Sequence, residues 1–287
     1  MATEKNTERR FSLRWIYALL LLIISVGIIG EIPPMRARWV TPYRLEMMIN
    51  GDKRWALVYP GKDAFTTPAP VVFSFHGWTG HATDLTMKMH ERWPEATVVY
   101  PQGMDVVKPS TGQKAPGWPD HLGDPDKYGN RDLHFVDRML TELPQILPVD
   151  TNRIYATGFS NGATFCYVLL TQRPAPFAAI AGVSGPATFL GSATTAKPLM
   201  TVNGLKDNFV YPELADTMQQ EFMRINHSSP TPVEWQPGYT IYMPADSAGA
   251  PFVWSRPDVA HGMPSEMVKG IAEHIVLFFK DHTRNGG

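Results

Sequence analysis

Five short apolar runs constrain the fold of this chain more than any other feature: residues 71–75, 97–100, 154–157, 178–183 and 199–202. Their hydrophobicity is nearly continuous rather than alternating, so strands formed from them must be covered on both faces. Helix-length segments fall between and after them, at 133–143, 163–171, 213–225 and 265–280. In the last of these, Met267, Ile271, Ile275 and Phe278 share one face, and Pro264 precedes the first turn. Lys280, His282 and Arg284 gather at its negative end. Alternating strand and helix predict an α/β class with a mostly parallel central sheet and helices on both faces. With 287 residues and 44% hydrophobic content, the chain can bury one large core, assigned to 54–287.

Between the third run and the helix after it stands Gly158-Phe159-Ser160-Asn161-Gly162. A serine at a sharp strand-to-helix turn has its hydroxyl lifted clear of the backbone, and glycines on either side remove side chains that would clash there. A serine hydroxyl is a weak nucleophile at neutral pH and needs a base, which in turn needs an orienting acid. In the α/β-hydrolase order both follow the serine, each on a loop at the carboxyl end of a strand. Asp207 follows the 199–202 run and a glycine turn, with Asp216 one helical turn later as a spare. His261 lies between the apolar 252–254 segment and the last helix. His274 and His282 belong to or follow that helix, His227 sits in a polar loop, and His81, His90, His121 and His134 precede the serine. The predicted set is therefore Ser160, Asp207 and His261.

Acyl transfer also places negative charge on the former carbonyl oxygen, which calls for hydrogen-bond donors. The backbone N–H of Asn161 is one candidate, and that of Trp78, in the loop His76-Gly77-Trp78-Thr79-Gly80 after the first run, is the other. Two stretches break the alternation. Residues 102–130 are rich in Gly, Pro and Asp around Trp118, and 226–251 are interrupted by Pro and Gly. A long irregular insertion in a compact domain is more often functional than accidental. Trp118 is therefore a candidate substrate contact, and His76 is a candidate either for substrate contact or for bracing its own loop.

Taken together, these motifs resemble a known family. The motifs His-Gly-x-x-Gly at His76, Tyr-Pro-x-Gly at 100–103, Asp-Leu-x-Phe at 132–135 and Val-Asp-x-x-Arg-Ile-Tyr-x-x-Gly-x-Ser-Asn-Gly at 149–162 carry the likeness. Gly-x-x-Asp at 204–207 and His-Gly-x-Pro at 261–264 extend it. The pattern resembles the polyhydroxybutyrate depolymerase and feruloyl esterase group of α/β-hydrolases, over roughly 54–280. The resemblance implies a serine triad at Ser160, Asp207 and His261. Where family members frequently carry a cysteine after His-Gly this chain has Trp78, and a polymer-binding domain of the kind used on solid polyester is not expected. Small or oligomeric esters of hydroxybutyrate, ferulate or acetate are the implied substrates. A serine exopeptidase of prolyl-oligopeptidase type and a non-catalytic membrane-anchored protein of the same fold remain alternatives.

Composition excludes other classes. The formal net charge is -1 and basic residues are scattered, so nucleic acid is not an expected partner. The single cysteine, Cys166, rules out an intrachain disulfide and reads as a small buried thiol. The nine histidines show no metal-ligand spacing, and neither a metal nor another cofactor is expected. Residues 15–30 are uncharged and apolar behind Lys5, Arg9, Arg10 and Arg14. A basic cytoplasmic segment at 1–14, a transmembrane signal anchor or cleavable signal peptide at 15–32 and a connector at 33–53 are expected. These would place the catalytic domain outside the cytoplasm, anchored or secreted.

Overall fold

The computed structural model describes residues 41–108, 111–119, 130–190 and 195–284. Its strands are β1 (Tyr43–Ile49), β2 (Asp52–Tyr59), β3 (Ala69–Phe75), β4 (Thr97–Pro101), β5 (Met104–Val107), β6 (Lys114–Gly117), β7 (Val149–Phe159), β8 (Ala179–Val183), β9 (Leu199–Val202), β10 (Ser228–Gln236), β11 (Tyr239–Pro244) and β12 (Phe252–Ser255). Its helices are α1 (Met89–Arg92), α2 (Arg131–Ile146), α3 (Asn161–Gln172), α4 (Pro212–Ile225) and α5 (Ser265–Lys280).

The apolar runs pair side by side. β4, β3, β7, β8, β9 and β12 form a parallel centre in that order, and antiparallel strands close it at both sides: β2 then β1 beyond β4, and β11 then β10 beyond β12. β5 and β6 pair separately as a hairpin. Every residue of β3, β4, β8, β9 and β12 is buried, as their continuous hydrophobicity requires.

Strand geometry sends successive side chains to opposite faces, and two cores result. Val71, Phe73, Phe75, Ile154, Ala156, Leu199 and Phe252 join one, under α2, α3 and α4 through Phe135, Met139, Phe165, Leu169, Met218 and Phe222. Val72, Tyr155, Met200, Val202 and Val253 join the other, under α5 through Ile271, Ile275, Phe278 and Phe279. Each buried Val, Leu, Ile, Phe or Met among them contributes about 1.5–3 kcal/mol by leaving water. α3 is buried over nine of its twelve residues, which explains why its sequence is apolar all round.

Part of the expected connector belongs to the sheet. Residues 43–49 form β1, where Tyr43, Leu45 and Met47 are half-buried between exposed neighbours, a period-2 pattern that a half-covered strand requires. The cationic segment 1–14 and the membrane segment 15–32 lie outside the described residues. Among the described residues, no helix is long and apolar enough to cross a membrane.

Candidate active site

Ser160 occupies the junction of β7 and α3 with φ 54° and ψ -121°, a left-handed backbone that costs a non-glycine residue about 1–3 kcal/mol. Its N–H is held by the Val183 carbonyl at 2.8 Å. The flanking glycines are explained by close approach. A Cβ on Gly158 would strike the carbonyl group of Gly162, and one on Gly162 would strike the carbonyl oxygens of Phe75 and His76. Strand, turn and helix are thereby locked together beneath the hydroxyl.

Three loops at the carboxyl ends of β7, β9 and β12 bring the predicted set together. His261 Nε2 lies 2.9 Å from Ser160 Oγ, and His261 Nδ1 lies 2.9 Å from Asp207 Oδ2. A carboxylate can only accept, so the neutral ring carries its proton on Nδ1 and leaves Nε2 free to accept from the hydroxyl. The Asp207 side chain is fully enclosed. Burial alone would raise its carboxyl, but the Val210 N–H, His261 and the Phe209 N–H outweigh it and hold it below the usual value. Those two N–H groups reach Oδ1 at 3.0 and 2.8 Å. The His261 ring is flanked by Phe159 at 5.3 Å and Phe209 at 4.6 Å between ring centres. The spare acid, Asp216, instead binds Arg256 at 2.6 Å.

The two expected oxyanion donors lie on turns that meet at Ser160. Asn161 opens α3, where a backbone N–H has no helical acceptor. The Gly77–Trp78 turn abuts the nucleophile, since a Cβ on Gly77 would stand 3.5 Å from that of Ser160. Within that turn, Thr79 and Gly80 donate to Pro116 and Gly77, while the Trp78 N–H has no acceptor among the described residues.

Of the two candidate substrate contacts, Trp118 is corrected, and His76 takes the second of its two expected roles, bracing its own loop. Trp118 is 0% exposed, its ring packed against Phe75 and Phe165 and its indole N–H given to the His76 carbonyl at 2.9 Å. His76 is 2% exposed, accepting from the Gly103 N–H at 2.9 Å through Nε2 and donating to the Gly77 carbonyl at 2.7 Å through Nδ1. Burial lowers its pKa and keeps the ring neutral, although the Gly77 carbonyl and Asp84 act the other way. Both residues brace the 76–80 loop, and neither side chain is exposed. Their enclosure follows from the β5–β6 hairpin lying against the 76–80 loop, where the Thr79 N–H reaches the Pro116 carbonyl at 2.8 Å.

Two side chains help build the site in ways the sequence motifs did not assign. The Asn161 side chain accepts from the Trp118 N–H at 2.7 Å and donates to the Trp118 carbonyl at 2.9 Å, tying the hairpin's end to the nucleophile turn. Asp132, first of the Asp-Leu-x-Phe motif, forms a buried pair with Arg54 at 2.6 Å, and Arg54 also donates to the Gln102 carbonyl at 3.2 Å. Phe135, last of that motif, lies under the guanidinium at 4.2 Å. Gln102 begins the 102–130 stretch, so this pair fixes where the stretch leaves the sheet. Cys166 is buried and its thiol is pushed well up by burial, as an inert core residue would be. No group of three metal-binding side chains occurs among the described residues.

Set beside known proteins, the chain is similar to esterases. It is 29% identical over 141 residues to the bifunctional acetylxylan esterase/xylanase XynS20E of Neocallimastix patriciarum, covering 49% of this chain and 19% of that protein. It is 29% identical over 124 residues to feruloyl esterase D of Neurospora crassa, covering 42% of this chain and 40% of that one. The matched stretches thus span less than half of either relative. The structure of an acetyl xylan esterase from Aspergillus awamori aligns with a TM-score of 0.55 at 15% identity, covering 80% of this chain and 98% of that one. The fold is that of the α/β-hydrolases. The sequence likeness to feruloyl esterases, expected from the motifs, is present in these matches. No protein-family model matches the chain.

Proposed function

We propose that the protein is a serine carboxylic-ester hydrolase working through an acyl-enzyme. The observation that carries this reading is the continuous relay from Ser160 Oγ through His261 to Asp207, at 2.9 Å in each step. Ser160 Oγ attacks the ester carbonyl carbon while His261 Nε2 takes its proton. The backbone N–H groups of Trp78 and Asn161 bind the oxygen that becomes negative. The imidazolium, held by Asp207, then protonates the departing alcohol. Water, losing its proton to the same Nε2, attacks the acyl-serine, and Ser160 leaves with that proton restored.

The likeness to acetylxylan and feruloyl esterases supports acetyl or phenolic esters as substrates, and the depolymerase-like motifs support short hydroxyalkanoate oligomers. The uncharged run at 15–30 behind four basic residues supports export of the domain, anchored or released by cleavage. The test is turnover of p-nitrophenyl acetate. Ser160→Ala is expected to lower kcat by about a millionfold, the scale of losing a serine nucleophile. Turnover that survives in Ser160→Ala overturns the reading.

A further inference from the structure

Lys108 lies just past β5 on the hairpin, and its Nζ stands 5.1 Å from the centre of the Trp78 ring and 5.6 Å from that of Phe209. Trp78 belongs to the oxyanion turn, and Phe209 packs on His261 at 4.6 Å. One ammonium therefore bridges an aromatic side chain from each side of the nucleophile. Other lysines around the site are neutralised: Lys206 pairs with Asp258 at 2.8 Å, and Lys114 with Asp105 at 3.7 Å. Among the described residues no carboxylate lies within ion-pair distance of Lys108. Lys108 is half-buried, and its ammonium stands between the ring that follows Gly77 and the ring that packs on His261. Nearby, Leu205, Phe209 and Tyr211 are 44%, 51% and 50% exposed on the loop that carries Asp207.

We propose that Lys108 is a specificity-determining residue that favours esters bearing an anionic group, a carboxylate close to the scissile bond. Resting on the esterase reading above, it narrows the substrate class to apolar-bodied acidic esters. Trp78 and Phe209 take the body and hold the ammonium, while Lys108 pairs with the charge. A cation with aromatic neighbours and no carboxylate keeps its attraction for an arriving anion, and at partial exposure that attraction is worth about fivefold in binding.

The test compares kcat/KM for matched esters differing in one negative charge. On the acyl side, mono(p-nitrophenyl) adipate is set against p-nitrophenyl hexanoate; on the alcohol side, p-acetoxybenzoate is set against p-acetoxybenzamide. The anionic-to-neutral ratio is expected to fall about fivefold in Lys108→Met, which keeps the stem's packing, to stay near wild type in Lys108→Arg, and to fall furthest in Lys108→Glu. In wild type the ratio is expected to shrink in about 1 M salt, where the screening length is about 3 Å. A ratio unmoved by Lys108→Met on both sides overturns the proposal while leaving esterase activity standing. Absence of turnover for all four esters overturns both.

Discussion

Replacing Asp207 by Asn separates geometry from protonation at the centre of the site. Asn keeps an oxygen for the Phe209 and Val210 N–H groups, which reach Oδ1 at 2.8 and 3.0 Å. Its amide nitrogen then faces His261 Nδ1 across the present 2.9 Å contact. Two donors cannot share that contact, so the imidazole must move its proton to Nε2. Nε2 then has no lone pair for the Ser160 proton. Wrong-tautomer variants of this kind lose about ten-thousandfold in kcat, or about 5.4 kcal/mol of barrier at 1.36 kcal/mol per tenfold. Folding is expected to lose only about 1–2 kcal/mol, because the two backbone donors stay satisfied. Acid sensitivity shifts as well. The Asp207 carboxyl lies below its usual value when folded, so its contribution is complete above about pH 4 and is lost as pH falls through the depressed folded value. Asp207→Asn should lose less stability on acidification than wild type. The assay is steady-state turnover of p-nitrophenyl acetate with parallel thermal melts at pH 7 and pH 3. A kcat within tenfold of wild type, in a protein that melts normally, refutes the argument that Asp207 sets the His261 tautomer.

Three further outcomes are expected. Asn161→Ala keeps the backbone donor but removes both bonds to Trp118, and kcat should fall by up to about thirtyfold through the loosened hairpin, two bonds at about 1 kcal/mol each; unchanged kcat on neutral esters would show that the hairpin needs no such tie. Asp132→Ala strands a buried guanidinium and should destabilise by about 3–5 kcal/mol in urea melts, whereas Arg54→Met with Asp132→Leu should cost far less; equal losses contradict the assignment. His76 is held neutral by burial and has a depressed pKa, so its share of stability is complete above about pH 6.5 and is lost on acidification at up to about 1.36 kcal/mol per pH unit. His90 and His282 have the same sign, so the check is the difference between wild type and His76→Gln from pH 7 to pH 5, which should reduce the slope.

The parallel centre was legible in the sequence because strands buried on both faces need continuous apolar runs, and 199–202 was expected and found as β9. The relay was legible for a related reason: in this fold the reactive loops leave the carboxyl ends of strands that the pattern already marks. The antiparallel edges were harder. β10 reads Ser-Ser-Pro-Thr-Pro at its start, and proline is tolerated only because the strand lies at the sheet's edge with register shifts against β11. β1 shows alternation only if a half-covered strand is already suspected. The residues whose burial could not be read share one cause. His76 and Trp118 lie on irregular backbone, where no periodicity tells inward from outward, and their polar tips are satisfied by carbonyl and N–H groups distant in sequence. The same holds for the Asn161 side chain, whose partner is 43 residues away.

The most direct measurement of the central claim is labelling with a fluorophosphonate, read by intact mass and peptide mapping. A single adduct on Ser160 is expected in wild type, lost in Ser160→Ala and strongly slowed in His261→Gln, because the hydroxyl 2.9 Å from Nε2 then has no base. Unlabelled wild type, an adduct on another residue, or labelling indifferent to His261 contradicts the account.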